Sequence, residues 1–253
     1  MNFRFQSYKN FSAGENFLIL ISVLFLSYAS VWLLGGTPLL AAIPIALAGA
    51  LFLFYTRSWK LFLVYFLFAL GGTLQEIFFI SKGLWSYSSG SFLLVPLYLP
   101  FVWGNIGGVA IGAFKGIVIL DKNQRLLHRP PNFGKICLII FLTGVAALLS
   151  IRFFYQNPLT LIAILLCLDI VYILFMRSLP LAIVGLFAMA GGTIGDLIAV
   201  WLKLWSYPLQ NTWAGVPPYI FIGWDVVGLL VVGFYLALDA PDAPIPDWMK
   251  DKT

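Results

Sequence analysis

The chain has 253 residues, 61% of them hydrophobic and 10% charged, with a mean hydropathy of +0.97 and a formal net charge of +5. A soluble domain carries about 25% charged residues, so this composition excludes a cytosolic enzyme, a nucleic-acid binder and a secreted disulfide scaffold. It points to an all-α integral membrane protein, in which Lys and Arg record topology rather than an anionic partner.

A spanning helix needs roughly 20 mostly apolar residues. Runs of that kind predict eight helices, at about 16–35, 38–56, 59–81, 95–119, 136–155, 158–176, 179–203 and 216–238. Ser27-Tyr28-Ala29 resembles a signal cleavage site, but the apolar run around it is longer than a signal core and reads as a span. Gly35-Gly36, Asn157-Pro158 and Ser178-Leu179-Pro180 mark tight connections, and 82–94, 120–135 and 204–215 are longer ones. Residues 241–253, with Pro241, Pro244 and Pro246, read as a flexible tail.

The positive-inside rule predicts the orientation. With the N-terminus inside, Arg4, Lys9, Arg57, Lys60, Lys115, Lys122, Arg125, Arg129, Lys135, Arg177, Lys250 and Lys252 fall on the cytoplasmic side. Only Lys82, Arg152 and Lys203 fall opposite, so both termini are expected in the cytoplasm, with the protein in the cell (inner) membrane. Cys137 and Cys167 lie in apolar runs and read as buried core filler. The single histidine, His128, lies in a polar loop, so neither a histidine metal site nor a Ser-His-Asp triad is expected.

The chain repeats itself at an offset of 120. Gly71-Gly72-Thr73-Leu74-Gln75-Glu76 recurs as Gly191-Gly192-Thr193-Ile194-Gly195-Asp196, and Trp85-Ser86-Tyr87 as Trp205-Ser206-Tyr207. Arg57-Ser58 matches Arg177-Ser178 and Pro38-Leu39 matches Pro158-Leu159; one inserted residue later, Pro96, Trp103 and Gly107 match Pro217, Trp224 and Gly228. Two four-helix halves follow, 1–120 with a repeat core at 38–110 and 121–240 with a core at 158–231. An even number of spans per half makes the halves parallel, about an axis near the membrane normal. Such an axis sets equivalent residues face to face.

Ionisable groups inside a bilayer cost roughly 2.5–3.5 kcal/mol each and mark functional sites by default. Glu76, Asp169, Asp196 and Asp225 qualify, and Glu76 and Asp196 are repeat equivalents. Facing each other in a dry cavity, those two are expected to keep a proton near neutral pH. Glycines 71, 72, 191 and 192 are expected to let helices approach closely. Trp85, Tyr87, Trp205 and Tyr207 fit either an interfacial aromatic belt or the walls of a cation-stabilising cavity. No phosphate-cradling loop, metal cluster or dinucleotide fingerprint occurs, so no cofactor or metal is expected.

These elements resemble those of the membrane-embedded carotenoid and terpenoid cyclase superfamily. Lycopene cyclases of the heterodimeric or fused type carry two copies of an acid, a Gly-x-Trp-x-Tyr element and a Pro-x-Glu-Glu element. Here Glu76 precedes Gly83-Leu84-Trp85-Ser86-Tyr87 and Val95-Pro96-Leu97-Tyr98; Asp196 precedes Leu204-Trp205-Ser206-Tyr207 and Val216-Pro217-Pro218-Tyr219. Meroterpenoid cyclases, with a membrane-embedded Glu and Asp, and carotenoid hydratases, with a Val-Pro-Leu segment, share the look. This chain has Leu74-Gln75 and Ile194-Gly195 where a Pro-Trp precedes the acid, and Tyr98-Leu99 where an acid pair follows proline. The resemblance therefore implies a divergent member acting on an isoprenoid other than lycopene.

The expectation is a non-redox isoprenoid cyclase or hydratase, an intramolecular lyase or isomerase. Glu76, Asp196 and Asp225 are the candidate catalytic carboxyls. Trp85, Tyr87, Trp103, Asn105, Trp205, Tyr207 and Trp224 are the candidate substrate-binding residues. The partners expected are a lipophilic isoprenoid and the bilayer, with no nucleic acid; a homo-oligomer is compatible. A proton- or ion-coupled solute transporter built from parallel repeats is the alternative, since intramembrane acids serve that role equally. A non-catalytic membrane partner or assembly factor is a third reading.

Overall fold

The computed structural model describes residues 13–89, 93–120, 131–208 and 212–240. Eight helices run in chain order: α1 Ala13–Leu34, α2 Pro38–Thr56, α3 Trp59–Ser81, α4 Leu99–Leu120, α5 Phe133–Phe154, α6 Pro158–Met176, α7 Leu179–Trp201 and α8 Tyr219–Asp239. Seven of them, α2 to α8, are long and apolar enough to cross a membrane; the apolar part of α1 among the described residues is the shorter stretch Leu18–Leu34. Large apolar side chains cover the outside, Leu33 81% and Leu159 79% exposed among them, a surface suited to hydrocarbon rather than water. Hydrocarbon offers the backbone no hydrogen bonds, so the chain makes its own, as helices. The predicted 241–253 tail, His128 and the basic residues Arg4, Lys9, Lys122, Arg125, Arg129, Lys250 and Lys252 lie outside the described residues.

The connections repeat in atomic detail. α2 and α6 end at Arg57 and Arg177, both in the left-handed region (φ 47° and 49°), with amides bonded back to Leu53 O and Ile173 O. Ser58 and Ser178 then cap α3 and α7, each hydroxyl accepting from the amide three residues on. At the other end of α3, Gly83 adopts φ 71° and Leu84 N–H bonds to Phe79 O; at the end of α7, Lys203 adopts φ 59° and Leu204 N–H bonds to Ala199 O. This Schellman-type stop turns each chain sharply and drives Leu84 and Leu204 into the interior.

After these turns the two Trp-Ser-Tyr segments meet. The all-α fold carries one small addition: β1 Ser86–Tyr87 pairs antiparallel with β2 Trp205–Ser206, with Ser86 opposite Ser206. The expected fourth and eighth spans also begin later, at Leu99 and Tyr219 instead of about 95 and 216. Positive φ at Leu93-Leu94 and at Ala214-Gly215 makes a turn there, and Val95 and Val216 tuck inward before each helix starts.

α4 packs on α1, α2 and α3; α8 packs on α5, α6 and α7; α4 and α8 also touch each other. These two are the most enclosed helices, 56% and 50% buried against 22–39% for the other spans. At the end away from the β1–β2 pair, Lys60 of α3 is ion-paired with Asp239 of α8. Both cysteines are free thiols: Cys137 is half-buried and packs against the core, whereas Cys167, expected to be buried, is exposed.

Candidate functional site

Glu76 and Asp196 each stand five residues before the last residue of α3 and α7, about 8 Å below those helix ends. Both are buried, and both line one cavity of about 120 Å³ beside the β1–β2 strand pair. Its aromatic walls come from both halves of the sequence: Trp85, Tyr87 and Trp103, and Trp205, Tyr207 and Trp224.

Each carboxyl is held by the same three positions. Trp85 Nε1 donates to Glu76 Oε2 at 2.6 Å and Tyr87 Oη donates to it at 3.1 Å, and Trp103 faces the same carboxyl. Trp224 Nε1 donates to Asp196 Oδ2 at 2.7 Å, and Trp205 and Tyr207 face that carboxyl. The nine-residue spacing from acid to tryptophan has a direct cause: five residues finish the helix, the tight stop reverses the chain, and the indole returns to the acid. Burial, then the adjacent Glu76, pushes the Tyr87 phenol above its ordinary range, so it stays a neutral donor.

Equivalent rings also touch one another. Trp103 and Trp224 stack with centroids 5.5 Å apart and planes 22° from parallel. Tyr87 packs edge-on against Trp205 at 5.5 Å, Trp85 against Tyr207 at 5.9 Å, and Ser86 Oγ lies 3.1 Å from Ser206 Oγ. The walls therefore present π-faces around two acids, with no Lys or Arg among the lining residues.

Two sequence candidates are corrected. Asp225 does not line this cavity; α8 turns it toward Asp169 of α6, and the two carboxyls meet in the interior of the second half. Among the described residues neither Asp169 oxygen has a hydrogen-bond donor. Asn105 is likewise not a cavity residue: its amide donates to Ser27 Oγ at 2.9 Å and Ile45 O at 3.1 Å, tying α4 to α1 and α2. The interhelical role wins because its amide donors are spent on those two helices. The glycine expectation is corrected by half: a side chain at Gly72 or Gly192 would strike the ring of Trp103 or Trp224, whereas at Gly71 or Gly191 it would meet nothing within 4 Å.

Asp169 and Asp225 fill a space that the first half fills differently. Their equivalents are Gly49 and Gly104, and the position equivalent to Tyr65 is Gly185. A side chain at Gly49 or Gly104 would strike Tyr65, and one at Gly185 would strike Asp225. One phenol and two glycines thus occupy the volume of two carboxyls and one glycine. Gly185→Tyr alone is expected to destabilise the protein by about 3 kcal/mol through overpacking, and Asp169→Gly with Asp225→Gly to restore most of that loss. Thermal unfolding of the single and triple variants in detergent checks it; a triple variant no more stable than the single one would contradict this packing account.

Several lining residues were not among the sequence candidates. Tyr28 of α1 enters beside Gly195, its hydroxyl donating to Gly191 O at 3.3 Å, and Gln75 and Phe79 of α3 also line the wall. Tyr28 could have been noticed only as a polar residue in an apolar run. No protein family, characterised protein or solved structure matches this chain, so the resemblance rests on the quoted motifs alone.

Proposed function

We propose that the chain is an integral-membrane isoprenoid cyclase or hydratase built from two parallel four-helix repeats, with both termini in the cytoplasm. The observation that carries this reading is the shared cavity in which Glu76 and Asp196 are each faced by equivalent Trp, Tyr and Trp side chains. Contacts between residues 120 apart, Ser86 with Ser206 above all, support the parallel arrangement.

In the proposed reaction one carboxyl, as the acid, transfers its proton to an alkene carbon or an epoxide oxygen. On an alkene a C–H bond forms and the adjacent carbon becomes a cation; on an epoxide the C–O bond breaks to the same end. The four Trp and two Tyr rings stabilise that charge through their π-faces. Attack by a second double bond closes a ring, and loss of a proton to the other carboxylate restores an alkene: a net isomerisation without redox change. In the hydratase variant, water attacks the cation and then gives up a proton. A positioned acid and base contribute 10²–10⁴-fold each in typical enzymes.

The test is conversion in heavy water. Full-length protein in lipid vesicles is given a panel of linear carotenoids, prenylated aromatics and their epoxides, and the products are analysed by mass spectrometry. A cyclase acting on an alkene yields an isomer with one deuterium on carbon; one acting on an epoxide yields an isomer whose new hydroxyl carries the added proton. A hydratase adds one water. No conversion of any of them, with proton-coupled solute uptake by the same vesicles, would replace this reading with the transporter.

A further inference from the structure

A second, wider cavity of about 320 Å³ lies along the seam between α1, α4 and α7, within the range of about 300–1,000 Å³ typical of ligand pockets. It follows α1 from Tyr28 to Leu20, a length of roughly 12 Å. Its rim reaches the apolar outside at Ile21 and Phe187, which are 61% and 59% exposed. Its other end adjoins the acid cavity, sharing Tyr28, Ile106, Gly192 and Trp224.

The repeat shows what opens it. The groove is walled by Ala110, Ala113, Ala188 and Ala190; the equivalent positions are Val231, Phe234, Phe68 and Leu70. On that side Phe68 and Phe234 meet edge to face, centroids 5.8 Å apart, and plug the space. What remains beside Gln75 and Leu148 is a void of about 120 Å³. The α1–α4–α7 seam is therefore the larger of two equivalent spaces; both adjoin the acid cavity, the smaller through Gln75, Ile151, Gly223 and Val227, and the larger reaches the apolar exterior at Ile21 and Phe187. Among the described residues no Lys or Arg lines either cavity, and the polar end leads to two carboxyls, which disfavours a phosphate-bearing lipid head.

We infer that the α1–α4–α7 groove holds the hydrocarbon tail of a linear isoprenoid, which enters sideways between α1 and α7 and presents its reactive end past Tyr28 to Glu76 and Asp196. The identity of the ligand as an isoprenoid rests on the proposed function; the groove as a tail site rests on its shape and apolar walls. The acid cavity is the smaller of the two and takes the reacting end, while the groove takes the chain behind it.

The experiment is photolabelling of the full chain in vesicles with geranylgeraniol carrying a tail diazirine, mapped by peptide mass spectrometry, beside a phosphatidylcholine probe with the same group in its acyl chain. The prenyl probe is expected to label α1, α4 and α7 around the groove, with unlabelled prenyl alcohol reducing that labelling at least 10-fold and phosphatidylcholine not doing so. Ala113→Phe with Ala188→Phe installs the Phe68–Phe234 plug of the equivalent seam and is expected to abolish this labelling. Phe68→Ala with Phe234→Ala is expected to create a second labelled patch on α3, α5 and α8. Equal labelling and equal competition by both probes in the unmodified protein would overturn the inference and leave an ordinary lipid-filled seam, a result that needs no variant to fold. Labelling kept in a protein that converts no isoprenoid would retain the tail groove and reject the proposed chemistry; conversion without groove labelling would do the reverse.

Discussion

Glu76→Gln and Asp196→Asn are each expected to lower isoprenoid turnover by about 10²–10⁴-fold while leaving the folded protein intact. The amides keep an acceptor oxygen for the Trp85 and Trp224 indoles, which donate to Glu76 Oε2 and Asp196 Oδ2, so the aromatic cage stays assembled. What they lose is the transferable proton and the carboxylate that takes one back. Because one group gives and the other receives, the double variant should be little worse than the poorer single one. Full activity in either single variant on an identified substrate would remove that carboxyl from the reaction. Asp225→Asn provides a contrast: Asp225 belongs to the Asp169 pair and not to the cavity, so its replacement should act on stability far more than on turnover.

Gly72→Val and Gly192→Val are expected to be the most damaging changes outside the acids. Any side chain at these positions strikes the ring of Trp103 or Trp224, and overpacking of this kind costs about 1–3 kcal/mol. The displaced rings are the stacked pair over the cavity, and Trp224 is the indole donor to Asp196. Stability and turnover should therefore fall together. Gly71→Ala, one residue away, meets nothing and is expected to be neutral or stabilising by about 0.5–1 kcal/mol, since alanine is the better helix former. Melting temperatures of the three variants in detergent, read beside their turnover, check this; equal behaviour of Gly71→Ala and Gly72→Val would show that the tryptophan stack does not depend on a bare backbone.

Much of this molecule is written locally. Apolar runs of membrane length leave the backbone no choice but helix, so seven long apolar helices could be read from hydropathy, and the Arg-Ser and Pro-Leu pairs mark the connections in both halves. The nine residues between acid and tryptophan were legible as a motif, because five helical residues and a tight stop are set by the chain itself.

The remainder depends on which face of a helix meets which neighbour, and one residue turns that face by about 100°. Trp224 and Asp225 are adjacent in sequence, yet one bonds Asp196 over the cavity and the other meets Asp169 inside the second half. Asn105 and Trp103 part in the same way, one to α1 and α2, the other to the cavity. The groove was invisible for a further reason: four alanines on two helices, α4 and α7, have no common signal until packing brings them together. An apolar helical chain with a repeated acid-and-aromatic motif is legible without any fold, because those features follow from solvent and spacing. Which acids share a cavity, and where the adjoining groove meets the apolar exterior, follow instead from helix rotation and the volumes of neighbours distant in the chain.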